Sequence, residues 1–329
     1  MKRKSLFFAV ITILLFASSC IKELNLPLPE VPPKVVVNSL FSPDFILQVH
    51  VGLSNPKPMN NTQFVEEPNY VEDAVVLLYE DNVFIEQLTH SEKGWYVSTH
   101  LPEEEAKYKI EVTVDGFDLV WAESSVPRYP ELTQPAECRL VGPMVIAGEQ
   151  YIVQDTYLFF KDEIGVDFYG FYFGGHGFIT DYYSTGVNFD RITDQSLLSD
   201  AELDLVSKST LPISSINFTD RLFEGQSKTL HLPNLSYGLE IPAGYNVGFG
   251  LLFGSVSKEF YEYFKALYRH LHNANTANHI ENPNNTSQTI DPITLLFMGA
   301  PVQAYTNING GLGIFAGYNY KVVEVFYVD

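Results

Sequence analysis

Cysteine is nearly absent: the 329 residues hold two, Cys20 and Cys138. Two cysteines cannot build the disulfide framework of a small stapled domain, so the fold must rest on packed cores. Basic residues are scarce as well, 20 Lys and Arg against 40 Asp and Glu, for a net charge of −20. A body this acidic repels nucleic acid and anionic headgroups, and no basic stripe offsets it, so nucleic acid is excluded as a partner. Long apolar runs are missing too. The run over 6–16 falls well short of the roughly 20 residues that a helix needs to cross a bilayer, and no later run is long enough. There is no Gly-x-Ser-x-Gly elbow, and the glycines at 310, 311 and 313 lack both GxGxxG spacing and the Lys-Ser/Thr of a phosphate loop.

What is present points to packed β structure. Hydrophobic residues make up 46% of the chain, too many for disorder. Tyrosine and phenylalanine, 20 and 24 of them, favour strands.

The first residues form an address. Met1-Lys2-Arg3-Lys4 precede the apolar run, and Ala17, Ser18 and Ser19 lead to Cys20. A basic start, a short apolar core and small residues before a cut site make a secretory signal peptide. Its small-small-Cys end resembles the bacterial lipobox, with Ala17 where leucine is commonest. In that pattern Cys20 becomes the first mature residue and is acylated on sulfur and amine with palmitate-type chains. Each buried methylene contributes about 0.8 kcal/mol, so several chains anchor almost permanently. Removing 1–19 takes away three basic residues and leaves 310 residues with a net charge of −23, room for two domains. Prolines 27, 29, 32 and 33 favour extended chain, so 20–34 reads as a lipidated cysteine and tether.

From residue 35 short strands follow one another. "KVVVNSLFS" and "DFILQVHVGLS" flank a Ser-Pro-Asp turn signal, and "VEDAVVLLYEDNVFIEQLTH" is two strands broken at Glu80-Asp81-Asn82. In "YKIEVTV", Tyr108, Ile110, Val112 and Val114 share one face, and Lys109, Glu111 and Thr113 the other. Strict alternation is the mark of a half-buried antiparallel strand. Residues 35–127 therefore read as a β-sandwich, Ig-like or carboxypeptidase-regulatory-like, and 128–329 as a second β-rich region. The stretch "FYGFYFGGHGF" is aromatic on both faces, so it is buried on both sides or lines a cavity. One amphipathic helix is expected near 257–272, with Ser257 as N-cap and Phe260, Phe264, Leu267 and Leu271 as an apolar stripe against the second region's sheet. Glycines 310, 311 and 313 are expected to let the chain bend closely past that helix.

Chemistry-bearing residues are few. His176 sits in a glycine-rich turn, where a catalytic or metal-binding role competes with a plain connection between strands. His270 and His272 point apart at i, i+2 spacing, and with His279 they meet a metal only if the helix ends there. Glu103-Glu104-Glu105 reads as a solvated loop or a weak calcium contact. Asn217 and Asn234 stand in Asn-x-Ser/Thr sequons that carry little meaning in a bacterial chain. Cys138, left unpaired, is most simply a buried small apolar residue. No catalytic residue, metal site or cofactor is expected, and Cys20 is the one assigned site.

The order of these features carries a resemblance. A lipobox, a tether, "VEDAVVLLYEDN", "GWYVS", "YKIEVTVDG", "FTDRLFEGQSKTLHLP", the helix "EFYEYFKALYRH" and "NINGGLGIFAGY" together resemble the Bacteroidota lipoprotein family known as domain of unknown function 4249. That family brings no established activity. The resemblance implies a lipid-anchored outer-membrane protein, often found beside a TonB-dependent transporter or another large barrel. The expectation is a non-enzymatic, cell-surface accessory subunit of an integral β-barrel complex for transport, assembly or export. The alternative is a surface protein that captures a glycan or a peptide. Lys22-Glu23 after the cysteine resembles the charged export signal of surface lipoproteins and favours the outer face.

Overall fold

The computed structural model of the protein describes residues 32–54, 69–146, 149–165, 167–175, 185–187, 192–198, 215–237, 249–267, 269 and 305–328. The described chain is mainly β. The first stretch supplies β1 (Val35–Phe41), β2 (Gln48–Leu53), β3 (Asn69–Tyr70), β4 (Val75–Glu80), β5 (Val83–Gln87), β6 (Thr89–His90), β7 (Trp95–Val97), β8 (Lys107–Thr113) and β9 (Val120–Ser125). The second supplies β10 (Glu131–Leu132), β11 (Ala136–Ile146), β12 (Glu149–Lys161), β13 (Phe168–Gly175), β14 (Thr185–Val187), β15 (Ser215–Thr219), β16 (Ser227–Tyr237), β17 (Phe249–Val256), β18 (Leu312–Val323) and β19 (Val325–Tyr327).

Local chemistry explains much of this. In β8, Tyr108, Ile110 and Val112 are at most 1% exposed, while Lys109 and Glu111 pair at 2.8 Å on the outer face, as period-two alternation requires. The β4–β5 hairpin turns at Asp81 and Asn82, with φ of 48° and 67°, a left-handed pair that Asp and Asn tolerate best after glycine.

Three sheets result. The largest runs β15-β13-β17-β18-β1-β2-β7-β6, with β3 beside β2; a four-stranded sheet runs β5-β4-β8-β9; a six-stranded one holds β14-β16-β12-β11-β19, with β10 on β12. The large sheet crosses the 127/128 division of the sequence. Strand β18 inserts between the two stretches, parallel to β1 from Val36↔Leu312 to Phe41↔Gly317 and antiparallel to β17 from Leu251↔Val323 to Val256↔Tyr318. The sandwich of the first stretch is thus finished by residues from the far end of the chain.

One face of the large sheet is covered twice. Val35, Val37 and Phe41 of β1 and Phe315 of β18 join Val76, Leu78, Tyr108 and Ile110 of the four-stranded sheet in one core. Phe41 lies 4.5 Å from Phe315 and meets Tyr108 edge-on at 5.5 Å. Further along the same face, Phe171, Phe253 and Val323 pack with Leu158, Phe160, Leu230 and Leu232 of the six-stranded sheet. Each wholly buried ring of this kind contributes roughly 1.5–3 kcal/mol.

The opposite face carries the expected helix, described over 258–267. Ser257 caps it: the Phe260 N–H donates to Ser257 Oγ at 3.2 Å. Phe260 and Tyr261 bury against Ile314 and Ala316 of β18. The glycines answer to a different neighbour from the one expected. Gly313 has a φ of +108°, and a Cβ there would lie 2.0 Å from the Val37 carbonyl oxygen; at Gly311 it would lie 2.7 Å from the Val35 oxygen. They serve the close approach of the chain to β1, not its passage by the helix, and Gly311 owes its need for glycine to contact and not to positive φ.

Candidate functional site

Even-numbered residues of β18 point to the helix face, and so do their partners across the sheet. Tyr172, Leu252 and Val322 stand side by side in register on β13, β17 and β18. One row over, Asn217, Gly170, Gly254 and Tyr320 align. The two glycines leave the space beside Tyr320 free of side chains. Its ring spans that space, and its hydroxyl donates to Asn217 Oδ1 at 3.1 Å. A Cβ on Gly170 would sit 2.2 Å from that hydroxyl, so glycine is what permits the arrangement.

The result is a trough of about 710 Å³ on this face, within the usual size of ligand sites. The sheet forms its floor, Phe260 and Phe264 of the helix one wall, and Leu40 with Asp44 and Phe45 another. The rings touch in series: Phe260 lies 4.4 Å from Phe264 and 5.8 Å from Tyr318, and Tyr318 lies 5.5 Å from Tyr320. Phe45 at 67%, Val322 at 58%, Leu40 at 42% and Tyr172 at 38% are left exposed, a contiguous apolar surface of the kind that marks an interaction site.

The aromatic stripe expected on the helix is therefore divided. Phe260 is 7% exposed and belongs to the core, Phe264 is half-buried on the trough wall, and Leu271 lies outside the described residues. Phe264→Ala should cost about 1–2 kcal/mol in urea unfolding, below the roughly 3–5 of a wholly buried ring. The aromatic stretch of β13 divides likewise. Phe171 and Phe173 are buried in the core, while Tyr172 lines the trough.

Two charged residues line the trough, Asp44 and Lys321. The Lys321 ammonium turns to the other face, 3.3 Å from Glu104 and over the Tyr129 ring. Burial works against charge on Glu104, but hydrogen bonds from Asn319 and Lys321 outweigh it and hold the carboxyl below its usual range. This member of the Glu103–Glu105 cluster thus pins β18 to the first sandwich. Asp44 is left as the free charge of the trough among the described residues.

A second constellation was invisible in the sequence. Asp162, Asp167 and Asp220 bring carboxylate oxygens within 4.8 Å of one another. Asp162 accepts from the Tyr169 hydroxyl and from the Gly225 N–H, and Asp220 accepts from the Asp167 N–H at 3.0 Å. Burial, then the charges of Asp162, Asp220 and Glu163, push the Asp167 carboxyl up to about 6. Such a group is relieved by a cation or by a proton, and burial with the neighbouring charges favours the protonated form of Asp167.

The remaining candidates are placed as follows. Cys138 is wholly buried and free, with its thiol pushed up to about 11 by burial, which leaves no reactive thiolate. Asn234 is buried, accepts from Thr156 and donates to Gln154. Cys20, His176, His270, His272 and His279 lie outside the described residues. No helix among the described residues is long and apolar enough to cross a membrane.

A family model described as Domain of unknown function (DUF4249) matches residues 21–323. The chain belongs to this family. The match takes in β1 through β18, so the trough and the three aspartates are made of family sequence throughout. No curated protein matches the chain. A solved structure of a BcpA variant, the major pilin subunit of Bacillus cereus, aligns at a TM-score of 0.21 and 11% identity over 69% of this chain; the chain spans 65% of that pilin. A likeness that loose carries no argument about fold or function.

Proposed function

We propose that the protein is a non-enzymatic lipoprotein of the outer membrane of Bacteroidota, anchored through acylated Cys20 and facing the cell surface, and that it serves as an accessory subunit of an integral β-barrel such as a TonB-dependent transporter or an assembly or export machine. The observation that carries this reading is the exposed aromatic trough: one face of the large sheet is sealed by two further sheets, while the other keeps an apolar surface that a partner would cover. The lipobox and the proline tether of the sequence supply the anchor and spacer such a subunit needs. A second reading, capture of a free glycan or peptide, is favoured by the concavity of the trough.

Mild-detergent purification of the native chain should bring an outer-membrane barrel with it, and its repeated absence would leave the capture reading in place. Cys20→Ser should move the protein to the soluble fraction or block its processing. A mutant that stays on the membrane and is cut at the same site would refute the anchor. Protease added to intact cells should digest the protein, and full protection until lysis would put it on the inner leaflet.

A further inference from the structure

We propose that the trough takes an extended apolar peptide segment carrying one arginine or lysine, with the cation held between the Asp44 carboxylate and the Phe45 ring. This rests on reading the trough as the docking face, and it names the chemistry of what docks there.

Charge decides the class. The trough is lined by six rings and three aliphatic side chains, so its occupant must be largely apolar. Among the described residues its free charge is Asp44, because the Lys321 ammonium is bound to Glu104 on the far face. Asp44 is exposed, in the turn between β1 and β2, beside Phe45 at 67% exposure. A carboxylate on the residue adjoining an exposed ring on the same trough wall suits a guanidinium or ammonium, which can gain an ion pair and a cation–π contact together. A fatty-acid carboxylate or a phosphate would be repelled by Asp44, in a body at −23 once 1–19 are removed. Glycans are disfavoured because the polar partners are few, and the amide oxygen of Asn217 already accepts from Tyr320. The floor is a sheet face whose backbone is paired within the sheet. Recognition therefore runs through side chains, and the charged contact fixes the register.

The test uses the full lipidated chain in lipid nanodiscs, with empty nanodiscs as the blank. Two dye-labelled pentapeptides, Phe-Leu-Arg-Leu-Phe and Phe-Leu-Glu-Leu-Phe, are titrated by fluorescence anisotropy. The arginine peptide should bind about tenfold or more tighter than its glutamate twin. Asp44→Lys should invert that order without lowering the melting temperature, since the side chain is exposed, and Phe45→Ala should weaken the arginine peptide about fivefold. Equal affinity of the two peptides, no binding of either, or an order unmoved by Asp44→Lys overturns the proposal. So does saturable binding of the neutral probe N-phenyl-1-naphthylamine that neither peptide displaces, which would put a small apolar molecule in the trough. The two readings fail separately. If the peptides discriminate as stated and no barrel co-purifies, the accessory role falls and the site stands. If a barrel co-purifies equally with native and Asp44→Lys chains, the accessory role stands and the assignment of the site falls.

Discussion

Phe315→Ala should lower stability by about 3–5 kcal/mol, the usual cost of emptying a buried ring, and should do so in one shared unfolding transition. Phe315 is 0% exposed and packs against Phe41, ring centroids 4.5 Å apart and tilted by 34°. It belongs to the core of the first stretch although it stands 274 residues after β1 has ended at Phe41. Strand β18 is hydrogen-bonded to β1 on one side and to β17 on the other, so loosening it weakens the sheet in both directions. Asn319 adds a tie, donating to Glu104 at 2.8 Å and to the Pro127 carbonyl at 3.1 Å. A loss of this size is a large share of the roughly 5–15 kcal/mol typical of a folded domain. Val322→Ala on the same strand, at 58% exposure, should change stability by no more than about 0.5 kcal/mol. Urea unfolding followed by fluorescence and by circular dichroism checks both. Two separated transitions, with only the first moved by Phe315→Ala, would mean that β18 does not couple the stretches. By the same reasoning a fragment ending at residue 127 should fail to fold, because β1 would keep β2 but lose β18 and the Phe315 ring.

Asp167→Asn should stabilise the protein at neutral pH by about 1–3 kcal/mol and flatten its pH dependence between about 4 and 7. The folded carboxyl titrates at about 6, above its ordinary 3.8, through burial and the charges of Asp162, Asp220 and Glu163. The folded chain holds that proton more tightly than the unfolded chain does. Stability is therefore fully present below the unfolded value and is lost as pH rises through about 6. Asp162 is raised in the same sense, by burial first and by the charges of Asp220 and Glu224, against hydrogen bonds from Tyr169 and Gly225 that lower it. It deepens the same slope. Asparagine keeps the shape of the Asp167 side chain and removes the repulsion. Melting temperatures from pH 4 to 8, for both proteins, read the effect directly. A mutant that melts lower than the native chain at pH 7.5, together with a fall in native melting on adding a chelator, would mean that a cation and not a proton balances the three carboxylates.

Much of this was legible locally. The alternation in 107–113, the break at Asp81-Asn82 and the Ser257 cap are properties of a few adjacent residues, and each is found where its pattern lies. The glycines were legible as places where backbone passes closely, but not as to what passes. Gly313 lies against Val37, a neighbour that no window of sequence contains. Glu104 looked solvated because its partners, Asn319 and Lys321, are more than 200 residues away. The trough was half legible. Aromatics on both faces of "FYGFYFGG" required burial or a cavity, yet nothing local said that Tyr172 would be the exposed one.

The sequence by itself determined most strands of 35–127, the two faces of β8, the helix start and the family, because each follows from side-chain period, turn chemistry or motif order over short windows. Only the tertiary structure decided that β18 joins β1 to β17, that Asp162, Asp167 and Asp220 meet, and that Asp44 is the free charge of an aromatic trough. Those outcomes depend on pairing between segments separated by 50 to 270 residues, chosen by which apolar faces can be buried together, and that choice leaves no mark on any single stretch of chain.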